Sequence, residues 1–185
     1  MNDKRNERPS PSMSAADAVA LYDLFEDNGI RVWLDGGWGV DALLEEQTRD
    51  HTDLDIGIET SDLPRMRDLL EKKGFRDVPR NDTRPWNFVL GDDAGRLVDV
   101  HAIEFDAAGN GIYGPPENGE MYPARSLQGQ GSIAGRPVRC LTPDKQVEFH
   151  SGYELSESDH HDVRALCQRF HLDLPPEFID GGSRD

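Results

Sequence analysis

A glycine pair, Gly36-Gly37, followed sixteen residues after its second member by Asp53-Leu54-Asp55, constrains this chain more than any other feature. The pair ends the run Ile30-Arg31-Val32-Trp33-Leu34, whose alternation predicts a short strand. It leads into Trp38-Gly39-Val40-Asp41-Ala42-Leu43-Leu44, where Val40, Leu43 and Leu44 fit the inward face of a short helix. Glycines at a strand-to-helix turn let backbone N–H groups approach a phosphate, and the helix N-terminus adds a favourable dipole. A tight turn that merely needs glycine has the same sequence. Asp53 to Ile58 predicts a second strand, on which residues i and i+2 share a face. Both carboxylates then look at one spot, an unfavourable arrangement unless a cation sits between them. Mg²⁺, which takes a few carboxylates together with substrate phosphates, fits that demand. A solvated strand face in an acidic protein is the plainer alternative.

Around this centre the periodicities define the other elements. Ser14 and Asp17 form a capping pair for a helix with Ala18, Leu21, Tyr22 and Phe25 on one face, closed at Gly29. Ser61 predicts the cap of a third helix, with Leu63, Met66, Leu69 and Leu70 inward and Gly74 beyond its end. Residues 86–90, a turn at Gly91–Gly95 and residues 96–101 predict an antiparallel hairpin. In its second arm Asp99 stands between Val98 and Val100, on the opposite face. An ionised Asp among β-branched residues asks for a partner, unless it looks out to water from an edge. Residues 106–131, rich in Gly, Pro and Asn, predict the longest irregular stretch, and a loop of that length in a compact domain is more often functional than idle. A small hairpin around Ala134–Pro137, a helix opened by Thr142-Pro143 and a last helix capped by Ser156 with Asp159 follow, the last with Val163, Leu166, Cys167 and Phe170 inward. The pattern predicts one α/β domain over residues 14–175, a mixed β-sheet flanked by helices with C-terminal helices closing a cleft. A disordered arm is expected at 1–13 and a tail at 176–185.

Charge narrows the partners. With 36 acidic and 20 basic residues the formal net charge is −16. That argues against nucleic acid, which needs a basic footprint, and against an anionic membrane, whereas a small cationic ligand is drawn in. Four Lys against 16 Arg fits either a salt-rich habitat or a GC-rich genome. There is no apolar run near the ~18 residues of a membrane helix, and the polar start MNDKRNERPSPS lacks the apolar stretch of a signal peptide. Cys140 and Cys167 lie far apart without CxxC spacing and read as buried thiols. The expectation is a soluble, reduced, cytoplasmic protein. His150, His160 and His161 lack the spacing to close around a metal with the cysteines.

The glycine pair, Asp-x-Asp on the next strand and a lone Asp on a third together resemble the nucleotidyltransferase superfamily that includes DNA polymerase beta. The segments 35–44 and 47–56 look like the antibiotic nucleotidyltransferases, the small lincosamide enzymes first and the aminoglycoside 2''-nucleotidyltransferases close behind. The likeness continues through Asn87–Leu90, Val98-Asp99-Val100-His101, Tyr122-Pro123, Ser126-Leu127 and the glycines after it, Phe149–Tyr153 and Asp162–Cys167, covering residues 14–172. It breaks at 106–122, where antibiotic contacts are expected. The resemblance implies that Asp53 and Asp55 hold Mg²⁺ against the triphosphate of a nucleotide, with ATP the expected donor. Asp99 then completes the metal site or takes the proton of the attacking hydroxyl. Gly36 and Gly37 face the nucleotide. Arg49 and His51 neutralise phosphate oxygens or sit in a solvent-facing loop. Asn87, His101, His150 and Tyr153 are the candidates for the acceptor side, and for His101 a buried structural role is the alternative. The implied acceptor is a small, cationic antibiotic, most simply a lincosamide. An aminoglycoside, or a non-catalytic nucleotide-binding module of the same fold, are the alternatives, and monomer and homodimer both remain open.

Overall fold

The computed structural model describes residues 12–115, 117, 119–151 and 153–179. Helix α1, Ala15–Asp27, starts where Ser14 accepts the Asp17 backbone N–H at 3.2 Å, and it buries Ala18, Leu21, Tyr22 and Phe25. Strand β1, Val32–Asp35, follows, then α2, Gly36–Leu44, and β2, Leu54–Glu59. Next come α3, Leu63–Lys72, and three strands: β3, Arg76–Val78; β4, Asn87–Gly91; and β5, Leu97–Phe105. Strands β6, Gly111–Tyr113, β7, Glu120–Tyr122, β8, Gly129–Ile133, and β9, Arg136–Cys140, precede α4, Pro143–Phe149, and α5, Glu157–Phe170.

The strands form one mixed sheet in the order β3-β4-β5-β2-β1-β9-β8, with β6 and β7 branching from β5. Strand β2 runs parallel to β5 and β1 parallel to β9, while the other pairs are antiparallel. All of β1 is buried, because both faces of the sheet are covered. Val32 and Leu34 pack into a large core with α1, α3 and α5, and Trp33 turns into a smaller cluster with Ile103, Tyr122, Leu127 and Leu141. The register sets Asp35 opposite Asp55, and Asp55 opposite Asp99, so three carboxylates stand in a row across three strands. The α/β class, the mixed sheet and the 86–101 hairpin are as the sequence predicts. No helix among the described residues is long and apolar enough to cross a membrane.

Several details differ. Ser61 is not a cap: Thr60–Asp62 make a 3₁₀ turn, and α3 starts after Asp62 with a proline in its first turn, where the missing N–H costs nothing. Residues 106–131 are not one irregular stretch. The Asp106 carboxylate accepts the N–H groups of Ala108 and Asn110, closing a turn that launches the β6–β7 branch, and a 3₁₀ turn at Ala124–Gln128 leads into β8. Thr142 occupies the N-cap position of α4, but its buried hydroxyl has no partner. The packed body also passes both expected boundaries. Met13 is 1% exposed and donates its N–H to the His51 carbonyl at 2.9 Å. Phe178 is fully buried, with its carbonyl accepting from Arg164 at 2.9 Å. The rest of the expected arm and tail, 1–11 and 180–185, lies outside the described residues.

Phe178→Ala is expected to cost about 3–5 kcal/mol, as for a large aromatic truncated in a core. Denaturant unfolding measures this, and a change within ~0.5 kcal/mol would restore the loose-tail reading of residues 176–179.

Candidate active site

Strand β1 ends in Asp35 and α2 begins at the next residue. Asp35 is the N-cap, its carboxylate accepting the Gly36 N–H at 2.7 Å. Gly36 has φ +54°, and a Cβ there would collide with the Asp55 carboxylate. A Cβ on Gly37 would collide with His51 and Arg49. Glycine is therefore required twice, because the turn is pressed against the acidic strand on one side and the basic loop on the other.

Asp55, Asp99 and His101 offer ligand atoms within 4.8 Å of one another. Asp53 immediately precedes β2 and stands outside that cluster, on the wall of the same cleft. The His101 ring lies 3.5 Å from Asp99 and 3.8 Å from Asp35. One buried Asp99 oxygen, Oδ1, has no hydrogen-bond partner. Burial, then the charge of Asp53, pushes the Asp55 carboxyl well above the usual carboxylate range. Burial works against a charged His101 ring, but the carboxylates of Asp35 and Asp99, with the charge of Asp55 added, outweigh it and push the ring up to about 10. Negative charge contributes to both shifts, after burial in the case of Asp55, and such a concentration of carboxylates favours a cation. Hard carboxylate oxygens, one of them orphaned, fit a divalent cation of the Mg²⁺ type.

The cluster opens into a cleft of about 430 Å³. The α2 turn and the 49–55 segment form one part of its wall. The β6–β7 branch supplies Tyr113, Glu120 and Tyr122, and the end of α4 with the start of α5 supplies Phe149, His150, Tyr153 and Asp159. His150 is buried, with Nδ1 donating to the Gln146 carbonyl at 2.7 Å, and the exposed Tyr153 donates its hydroxyl to Asp159 at 3.0 Å. Asn87 stands opposite His101 in the register, yet its amide donates to the Asp82 carbonyl at 3.3 Å and it is not part of the cleft wall. Neither Arg49 nor His51 is a free loop residue. Arg49 grips Asp162 with Nε and Nη2 at 2.7–3.2 Å, and His51 lies 2.5 Å from Asp41, both of them buried, with Trp38 against its ring. Sequence reasoning missed Asp35, Asp41, Glu120 and Asp162. Asp35 was visible in the motif itself, whereas nothing local ties Asp162 to a partner 113 residues away.

Residues 17–166 match the family model described as aminoglycoside-2''-adenylyltransferase. A lincosamide resistance protein of Staphylococcus haemolyticus is 32% identical over 146 residues, 79% of this chain and 89% of that protein. A 2''-aminoglycoside nucleotidyltransferase of Escherichia coli is 28% identical over 117 residues, 62% of this chain and 60% of that protein. Among solved structures, the lincomycin-bound lincosamide antibiotic adenylyltransferase LnuA superposes with a TM-score of 0.75 at 29% identity, covering 84% of this chain and 97% of that one.

Mg²⁺ or Mn²⁺ without nucleotide is expected to raise the melting temperature, by the equivalent of about 2.7 kcal/mol when the ion reaches 100 times its Kd. Asp55→Asn should lose most of that shift, read by calorimetry with and without the ion. An equal shift in the variant would remove Asp55 from the cation site.

Proposed function

Because the chain belongs to the aminoglycoside-2''-adenylyltransferase family, we propose that it is a Mg²⁺-dependent nucleotidyltransferase. In this reading it moves AMP from ATP onto a hydroxyl of a small cationic antibiotic, a lincosamide in the first place, and so inactivates the drug. The observation that carries it is the row Asp35, Asp55 and Asp99 across three strands, the first two on the cleft wall, with a buried Asp99 oxygen that makes no hydrogen bond and faces His101 Nε2 at 3.5 Å. The lincosamide follows from the 32% identical relative, whose length this chain nearly spans. An aminoglycoside acceptor is the second reading, supported by the family model and the 28% identical relative, and it uses the same chemistry.

Asp53 and Asp55, with Asp99 beside them, are the residues that would hold Mg²⁺. When bound there, such an ion would supply charge neutralisation for the phosphates. The Gly37 N–H at the turn, with Arg49 and His51, faces the phosphates, where a helix start and fixed cations suit an anion, while the Gly36 N–H is taken by Asp35. Asp99 accepts the proton of the acceptor hydroxyl as its oxygen attacks the α-phosphorus in line and pyrophosphate departs. His101 keeps that carboxylate in place from 3.5 Å. The acceptor lies against His150 and Tyr153, in a cleft whose Glu120 and Asp159 favour a cation. The negative field is felt by Tyr113, whose hydroxyl is pushed up to about 12 by burial and then by neighbouring carboxylates, Asp99 first.

Pyrophosphate release with ATP or GTP and Mg²⁺, across a panel of lincosamides and aminoglycosides, tests the reading. ATP turnover dependent on a lincosamide is expected, and silence on every acceptor with nucleotide still bound would favour a non-catalytic module. Asp99→Asn is expected to keep nucleotide binding and to lower turnover by roughly 10²–10⁴-fold, the range for loss of a general base. Added Mg²⁺ should not restore the rate. Partial restoration would assign Asp99 to the metal instead.

A further inference from the structure

Behind the cleft wall sits a carboxylate that the chemistry above does not use. Asp162, in the second turn of α5, is 1% exposed. Burying an isolated carboxylate is costly, and a buried ion pair yields little net stability over a hydrophobic pair of the same shape. What such a pair does supply is orientation, because a guanidinium and a carboxylate meet in one plane through two parallel bonds.

Two bases face Asp162: Arg49, which bonds it directly, and His150, whose Nε2 stands 3.9 Å from Oδ2. Arg49 Nε lies 2.9 and 3.2 Å from the two Asp162 oxygens, and Nη2 lies 2.7 Å from Oδ2. The remaining nitrogen, Nη1, donates to the Asp50 carbonyl at 3.1 Å. Every nitrogen of the guanidinium is thereby fixed, although the side chain is 28% exposed and lines the cleft. It is fixed against the glycine turn: a Cβ on Gly37 would touch Nη2. His51 next to it is held in the same way by buried Asp41, whose other oxygen takes the Thr48 N–H and hydroxyl. Both bases of the 48–52 segment thus have a buried carboxylate at their backs, and the one behind Arg49 comes from the far end of the chain.

We propose that Asp162 is a positioning residue for the nucleotide: it holds the Arg49 guanidinium at the Gly36-Gly37 turn, where the triphosphate binds. This rests on the reading of Arg49 as a phosphate contact. It also ties that contact to α5, whose first turn puts Asp159 on the acceptor wall. Correct docking of α5 is then a condition for tight nucleotide binding.

The test is a kinetic cycle of wild type, Asp162→Asn, Arg49→Gln and the double variant, with melting temperatures as a check on folding. Asn keeps the shape but turns an NH₂ toward the guanidinium, leaving one bond of the fork. Asp162→Asn is expected to raise the nucleotide KM between about tenfold and 10²-fold, the scale of a slightly misplaced contact, with the acceptor KM within about twofold. In nucleotide KM the double variant should be no worse than Arg49→Gln, because Asp162 reaches the nucleotide through Arg49; its second basic neighbour, His150 at 3.9 Å, lies on the acceptor side and would be read in the acceptor KM. Arg49→Lys, which keeps the charge at a partly exposed position but cannot form the fork, should raise the same KM and needs no change in the core. A wild-type nucleotide KM in Asp162→Asn or in Arg49→Lys overturns the proposal, as do multiplicative effects in the double variant. A wild-type nucleotide KM in Arg49→Gln overturns the underlying reading of Arg49 as well.

Discussion

Three like charges side by side on neighbouring strands are the constraint on which the molecule is built. Asp35, Asp55 and Asp99 repel one another, and nothing about their own chemistry keeps them together. Their apolar neighbours do. Leu34, Leu54, Ile56, Val98 and Val100 are all fully buried, and a slip of one residue in β1, β2 or β5 would turn that strand's side chains out and its carboxylate in. The core is therefore a clamp for the row, and the parallel pairing of β2 with β5, bought with a long excursion through α3, β3 and β4, is what brings Asp55 level with Asp99.

What could be read from the sequence is what is decided locally. Helix caps at Ser14 and Ser156 depend on atoms three residues apart, and both formed as read. The glycine turn and the 86–101 hairpin are likewise written in adjacent residues. Three-residue strands are too short to show a period, which is why β3, β6 and β7 did not stand out, and Asp106 closes its turn from within a segment that looks featureless. Asp53 and Asp55 are adjacent in the motif and both line the cleft, Asp53 just before β2 begins and Asp55 within it, whereas the approach of Asp99 and His101 to Asp55 comes from a strand more than forty residues on. The ends were misjudged because Met13 and Phe178 are isolated apolar residues in polar surroundings, and only the tertiary structure shows the holes they fill.

The strong acidity of the chain is not a source of stability. Its charged pairs on the surface, such as Arg67 with Asp77 and Arg136 with Asp23, are part-exposed and of a type worth about 0–1 kcal/mol each. In other pairs a buried carboxylate meets a base: Asp162 with Arg49 and Asp41 with His51 beside the cleft, and Asp92 with Arg96 in the β4–β5 turn.

The bond from the Met13 N–H to the His51 carbonyl gives the start of the chain a mechanical meaning. The residue that first enters the packed body is fastened to the segment that carries Arg49 and His51. A load applied from that end, such as a surface tether or a bulky fusion partner, meets two backbone bonds, Ser12 to the Gly95 carbonyl in the β4–β5 turn and Met13 to that segment, before it reaches α1. For anyone building a sensor or an immobilised catalyst from this protein, the choice of attachment end is thus a choice about whether the anchor pulls on the cleft wall.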